Sequence, residues 1–335
     1  MSEAAAPASA LRRGVMPLLA YAVLTAAMDV YAGNRFEVVS PASLAAVSFT
    51  LTMLFFLAVE ARRGGVRPRA AVITHRRDIV AINITTAVTW LSTFYALEYL
   101  EPAIVNVIGL ALGPMIMTLA GPLLRRHSRV MGAEIVVSVA IGMLLAALMW
   151  ASFSGRSGLG DLSTSDAVLG LLFSLTCAAG SAVNIIYMKR LSDAGCEPGL
   201  VLATRFFLMS LVAWILVAFE DGPDLTAALV PGAVVAVIGV GLPIFVLQIG
   251  IRHTEPITTS LLVCLSPLFA FALQLADGRL RFSLFTLGGV IGVVVLVAVG
   301  VLVRDREPAP GEPAAAGRPA APEPLVSDEH GGPRP

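Results

Sequence analysis

Three ionisable side chains fall inside long apolar stretches of the sequence: Asp29, Glu134 and Arg205. A charged group near a membrane centre costs about 2.5–3.5 kcal/mol on insertion scales, so each needs water, a partner or a task. Asp29 stands about four residues from the end of its apolar run. It reads either as an interfacial carboxylate reaching the headgroups or as a proton-linked carboxylate facing a water-filled cavity. Arg205 lies about six residues inside its run, roughly 9 Å deep by helix rise. Its stem either snorkels to the surface or turns inward to bind backbone carbonyls or a substrate carboxylate. Glu134, one turn into its own run, reads as interfacial.

Neutral polar and aromatic residues are scattered through the same stretches: Asn83, Trp90, Tyr95, Asn106, Asn184, Tyr187, Gln248 and the run 258–260. Interhelical hydrogen bonds are reason enough for many of them. Spacing adds to this, because Asn83, Thr86 and Trp90 fall at i, i+3 and i+7, on one helix face, and Asn184 and Tyr187 at i, i+3. The expected substrate-binding set is Asn83, Trp90, Tyr95, Asn184, Tyr187, Arg205 and Gln248, with Asp29 as the proton-coupling candidate. No H-E-x-x-H, G-x-S-x-G or glycine-rich phosphate loop with lysine is present, so no catalytic residue, metal site or cofactor is expected. Cys177, Cys196 and Cys264 have no zinc or redox spacing and read as reduced, structural thiols. The formal net charge of +0 gives no reason to expect nucleic acid. The expected partners are a small-molecule substrate and the lipid bilayer.

These residues need elements to hold them, and composition names the kind. The chain has 335 residues, of which 57% are hydrophobic and 14% charged, well short of the quarter charged in an average soluble domain. Crossing the hydrocarbon takes about 20 apolar residues, and such runs recur at 14–33, 41–60, 79–98, 102–123, 130–151, 166–188, 199–219, 229–250, 256–276 and 283–303. Stretches such as 290–303 are apolar on every face, which excludes the alternating strands of a barrel. The expectation is an all-α membrane protein of ten transmembrane helices. With both termini cytoplasmic, the basic residues gather on the inner side, which orients the protein by the positive-inside rule. Arg12 and Arg13 then precede an uncleaved first helix. Residues 304–335, rich in proline and without apolar periodicity, read as a disordered cytoplasmic tail. Pro102 and Pro256 stand where a helix begins, whereas Pro114, Pro243 and Pro267 are interior and should bend or break their helices. Gly288 and Gly292 form a G-x-x-x-G, read as close helix packing or a homodimer contact.

The sequence also repeats. Glu101-Pro102-Ala103-Ile104 leads through an apolar run to Gly113-Pro114, and Glu255-Pro256-Ile257-Thr258 leads to Ser266-Pro267. Upstream, Ser40-Pro41 pairs with Glu197-Pro198 at a similar offset. Each half then holds five spans, and an odd number forces the halves to enter the membrane in opposite senses, the inverted arrangement of many secondary transporters.

The pattern from Phe94 to Ala103, followed by Gly113-Pro114, resembles the EamA-type repeat of the drug/metabolite transporter superfamily, and the stretch from Gly250 to Pro267 resembles a second copy. The resemblance covers roughly residues 14–303. It implies two inverted five-helix EamA halves, 14–151 and 166–303, joined by an extracytoplasmic linker at 152–165 and preceded by a cytoplasmic N-terminus at 1–13. It implies a multi-pass inner-membrane permease or exporter of a small metabolite, with an amino-acid-like substrate favoured. Members commonly carry an arginine early in the second helix of each half; Arg205 holds that place, but its counterpart is Ser48. Two alternatives stand beside this reading: proton-coupled drug or cation efflux through Asp29, and a membrane-embedded enzyme.

Overall fold

The computed structural model describes residues 5–62, 73–109, 112, 132–154, 156, 163–253, 262–278 and 280–305. In chain order the helices are α1 (Ala5–Arg35), α2 (Pro41–Arg62), α3 (Arg76–Tyr99), α4 (Gly132–Phe153) and α5 (Thr164–Asp193). There follow α6 (Pro198–Thr204), α7 (Phe207–Ala218), α8 (Leu225–Val234), a π-helical segment (Val235–Gly241), α9 (Leu242–His253), α10 (Ser266–Gln274) and α11 (Leu284–Asp305). A further helical stretch occupies 102–109, and no strand occurs among the described residues. Among the described residues, six spans are long and apolar enough to cross a membrane: 14–35, 41–62, 76–99, 164–188, 199–218 and 225–247. Shorter apolar helices cover 139–151 and 284–300. The protein is therefore multi-pass. Most of the expected span 102–123, the start of 256–276 and residues 306–335 of the expected tail lie outside the described residues.

Large apolar side chains turn outward as freely as inward: Leu54, Phe55, Leu211, Val237 and Phe245 are all exposed, as a hydrocarbon surround permits. The centre is held by rings. Phe49, Phe94 and Phe206 are fully buried; Phe49 lies 5.6 Å from Phe206 and 6.1 Å from Phe94 between ring centroids.

Glycine sets how closely the helices approach. α3 packs along α5, α1 along α9, α2 along α7 and α4 along α11. On α5, Gly170 meets Leu100 and Tyr99, while Gly180 meets Thr89 and Val88, so the pair is antiparallel. The same reversal joins α1 to the π-segment and α9, where Gly239 meets Met28 and Gly250 meets Leu18. On α11 the seam residues are Gly289, Gly292 and Gly300, against Leu148, Leu144 and Val137 of α4. A methyl on Gly288 would meet nothing within 4 Å. The expected Gly288/Gly292 pairing is thus replaced by Gly289/Gly292, and Gly292 packs inside the chain.

The breaks follow the prolines and one unexpected residue. Pro267 opens α10 after a turn at 264–265, a true interruption. Pro243 follows the π-segment directly; it cannot donate to the carbonyl four residues back, and a widened i→i+5 turn accommodates the misfit. Pro114 and Pro256 lie outside the described residues. α6 and α7 are one span interrupted at Arg205 and Phe206, without a proline at the break.

Candidate functional site

The break between α6 and α7 is held open by Asn83 of α3. Its Nδ2 donates to Thr204 O (2.8 Å) and Ile79 O (2.9 Å), and its Oδ1 accepts Leu208 N–H (3.2 Å). Thr204 O and Leu208 N would otherwise bond each other in an unbroken α-helix, so the amide replaces one rung of the ladder. Both amide hydrogens of Asn83 are used on backbone, which makes it a positioning residue rather than a donor to substrate.

Arg205, at the break, is 5% exposed and turns into the bundle. Nη2 donates to Asn184 Oδ1 (2.9 Å), Nε to Thr86 Oγ1 (3.3 Å) and Nη1 to Met188 Sδ (3.5 Å). Asn184 is braced in turn, donating to Thr85 Oγ1 (2.9 Å) and Thr86 Oγ1 (3.0 Å). Every one of these partners is neutral, and among the described residues no carboxylate pairs with Arg205. A guanidinium has five N–H donors in a planar fork matched to carboxylates, and buried charges are otherwise paired. The surroundings are built to hold this cation, and they leave it short of a counter-charge.

Asp29 is buried as well, at 4% exposure, and α1 continues six residues beyond it. That removes the headgroup reading. Its carboxylate accepts from Asn106 Nδ2. Asn106 Oδ1 accepts from Ser266 Oγ (3.0 Å), which also reaches Ala22 O (3.3 Å). Three segments far apart in sequence therefore meet at one carboxylate. Half-buried Tyr21 hydrogen-bonds Thr25 and lies within electrostatic reach of both Asp29 and Arg205.

The other expected residues separate. Trp90 packs edge-on to Phe49 at 5.2 Å and on Phe94 at 6.2 Å, within the central ring cluster that includes Phe206. Tyr95 stacks on Phe173 at 5.2 Å, twelve residues along α3 from Asn83, about 18 Å by helix rise. Tyr187 lies under the guanidinium of Arg190 at 5.3 Å, turned from Asn184's network. The side chains of Gln248 and Glu134 lie outside the described residues. Thr93 Oγ1 is 3.0 Å from Cys177 Sγ, and all three cysteines are free.

A second polar cluster was not anticipated. Glu101, 1% exposed, accepts from Gln274 Nε2 (3.1 Å) and Thr286 Oγ1, while Gln274 Oε1 accepts Ala103 N–H (3.1 Å). At the same end of the bundle Asn34 donates to Asp277 (3.1 Å), and Ser40 and Ser43 donate to Glu220 (2.8 and 3.2 Å). Each of these contacts joins residues before 151 to residues after 166. The one signal in the sequence was that both corner motifs start with glutamate.

Comparison with known proteins bears on this arrangement. Residues 168–303 match the EamA-like transporter family. The second half of this chain is thus similar to an EamA-like transporter domain. It contains Asn184, Arg205 and the π-segment, so the buried guanidinium belongs to the EamA-like part. The chain also resembles a crystal structure over 89% of its own length and 97% of the other's, with a TM-score of 0.58 and 20% identity, a likeness of fold alone. No curated protein matches the chain. The six apolar spans make this a multi-pass membrane protein, and its residues 168–303 are similar to the EamA-like transporter family.

Proposed function

We propose that the protein is a secondary transporter of a small carboxylate-bearing metabolite, amino-acid-like in class, working by alternating access between two inverted five-helix halves. The observation that carries this is Arg205, a buried guanidinium in a fixed cradle of Thr86, Asn184 and Met188 with no anionic partner among the described residues. A substrate carboxylate is the missing counter-charge.

The helix pairing supports the inverted halves. If α1 to α4 and the 102–109 stretch make five spans, and α5 to α11 the next five, then the four main pairings map onto one another five spans on. The pairing of α3 with α5 maps onto that of α9 with α1, and the α2–α7 and α4–α11 pairings map onto themselves. An inner-membrane location with both termini cytoplasmic follows from the charge bias.

Reconstituted liposomes loaded for uptake of labelled amino acids and related metabolites provide the test. Uptake should favour carboxylates, and Arg205→Gln should raise KM at least about tenfold, since a hydrogen bond to a charged group is worth about 1.5–3 kcal/mol. Unchanged KM in Arg205→Gln, with carboxylates still taken up, would remove Arg205 from recognition. A second reading rests on Asp29, a carboxylate whose one described donor is an amide; it is the group that would carry a coupling proton. Asp29→Asn should abolish dependence on a pH gradient, and undiminished proton-driven uptake would end that reading.

A further inference from the structure

An apolar groove of about 940 Å³ runs between α2, α6 and the π-segment with α9. Thr52, Leu202 and Ala236 form its buried floor. Phe55, Val237 and Phe245 form its rim and are 61%, 60% and 55% exposed, so the groove opens along the bilayer-facing surface. The hydroxyl proton of Thr52 already goes to Ser48 O at 2.8 Å. The charges sit at one end. Glu197 lines the groove there, and Arg62 stands three residues beyond Val59, another lining residue, on the same face of α2. Both are exposed, and among the described residues neither has an ion-pair partner.

We propose that this groove binds one zwitterionic aminophospholipid, its acyl chain along the floor, its ammonium on Glu197 and its phosphate on Arg62. A long apolar slot ending in one anion and one cation complements a head group that carries both charges. A primary ammonium donates charge-assisted hydrogen bonds to a carboxylate, whereas a trimethylated choline has no N–H to donate. An anionic lipid would leave Glu197 without a partner. The groove has one wall from the first half of the chain and two from the second, so the bound lipid fills the seam between them. The site is independent of what is transported.

The test uses the full chain in vesicles of equal parts phosphatidylethanolamine, phosphatidylcholine and phosphatidylglycerol, followed by detergent extraction and native mass spectrometry of the lipids retained. The wild type should keep phosphatidylethanolamine about tenfold over the other two, the ratio expected for a single charge-assisted contact. Glu197→Gln should remove the preference over phosphatidylcholine, Arg62→Gln should lower retention of all three, and Ala236→Trp should empty the groove. The two charge variants are surface changes that leave the core intact, so they decide the matter even where the tryptophan variant does not fold. Equal retention of the three lipids, preferential retention of phosphatidylglycerol, or an unchanged preference in Glu197→Gln would overturn the site.

Discussion

Arg205 and Asn83 divide the work at one helix break, and mutations should separate their roles. Asn83→Ala leaves Thr204 O and Leu208 N without their partner, and an unsatisfied buried group costs about 1–3 kcal/mol. The variant should melt several degrees lower in detergent, whereas Arg205→Gln should change KM more than it changes melting; equal melting of Asn83→Ala and wild type would count against Asn83 bracing the break. Asp224 offers a pH test outside the membrane. Its carboxylate caps α8, accepting from Ala227 N (2.9 Å) and Thr226 Oγ1 (2.6 Å), and these hydrogen bonds, the Thr226 one first, hold it below the ordinary 3.8. A depressed carboxylate stabilises above its unfolded value and loses that contribution as pH falls through the folded one. Protection of the Ala227 amide from exchange should therefore hold at neutral pH and fade only below about pH 4, and Asp224→Asn, which can still cap, should show no such fading.

Among the elements, Gly232 makes a contact that neither side chain nor backbone can relieve. A Cβ there would lie 2.5 Å from Val47 Cγ1, 2.7 Å from Val47 Cβ and 3.3 Å from Ser48 N, so neither a branched side chain nor the backbone of α2 can step aside. Gly232→Ala should destabilise by about 1–3 kcal/mol through overpacking, while Gly288→Ala, into open space, should be neutral or slightly stabilising; thermal unfolding of the two variants side by side checks the contrast. Much at this scale was legible in the sequence. Apolar runs give spans because hydrocarbon leaves a backbone no other solution, and Pro267 declared its break. What lay beyond reach was azimuth: periodicity grouped Asn184 with Tyr187, but only the neighbouring helix decides that one faces Arg205 and the other Arg190. Asn83 was singled out as polar, yet its task depends on a break in α6–α7 that no proline signals. Glu101 looked like a corner residue because glutamate before proline ordinarily marks a loop, and its partners lie more than 170 residues away.

At the scale of the whole molecule, one end carries a group of polar contacts between the halves beyond the Asn83, Asn184 and Arg205 network. Glu101 with Gln274 and Thr286, Asn34 with Asp277, and Glu220 with Ser40 and Ser43 seal the end that carries the 36–40 and 219–224 turns. At the other end the described ion pair between the halves is half-buried Asp78 with exposed Arg190, long at 3.9 Å, a class worth about 0–1 kcal/mol. On the proposed alternating access, this end must open once per cycle. Cysteines at 34 and 277 should therefore cross-link under oxidant and stop uptake, with recovery on reduction; full uptake by the cross-linked protein would mean that this end never opens.

The amide that interrupts α6–α7 also sets what motion is available. Withdrawing Asn83 from the break would strand a carbonyl and an N–H in hydrocarbon unless Thr204 and Leu208 closed on each other in the same step. Intermediate positions satisfy neither arrangement, so the joint has two resting places and nothing stable between them. A shift of α3 past α7 would therefore have to be made in a single step, and Arg205, at the break, would move with it.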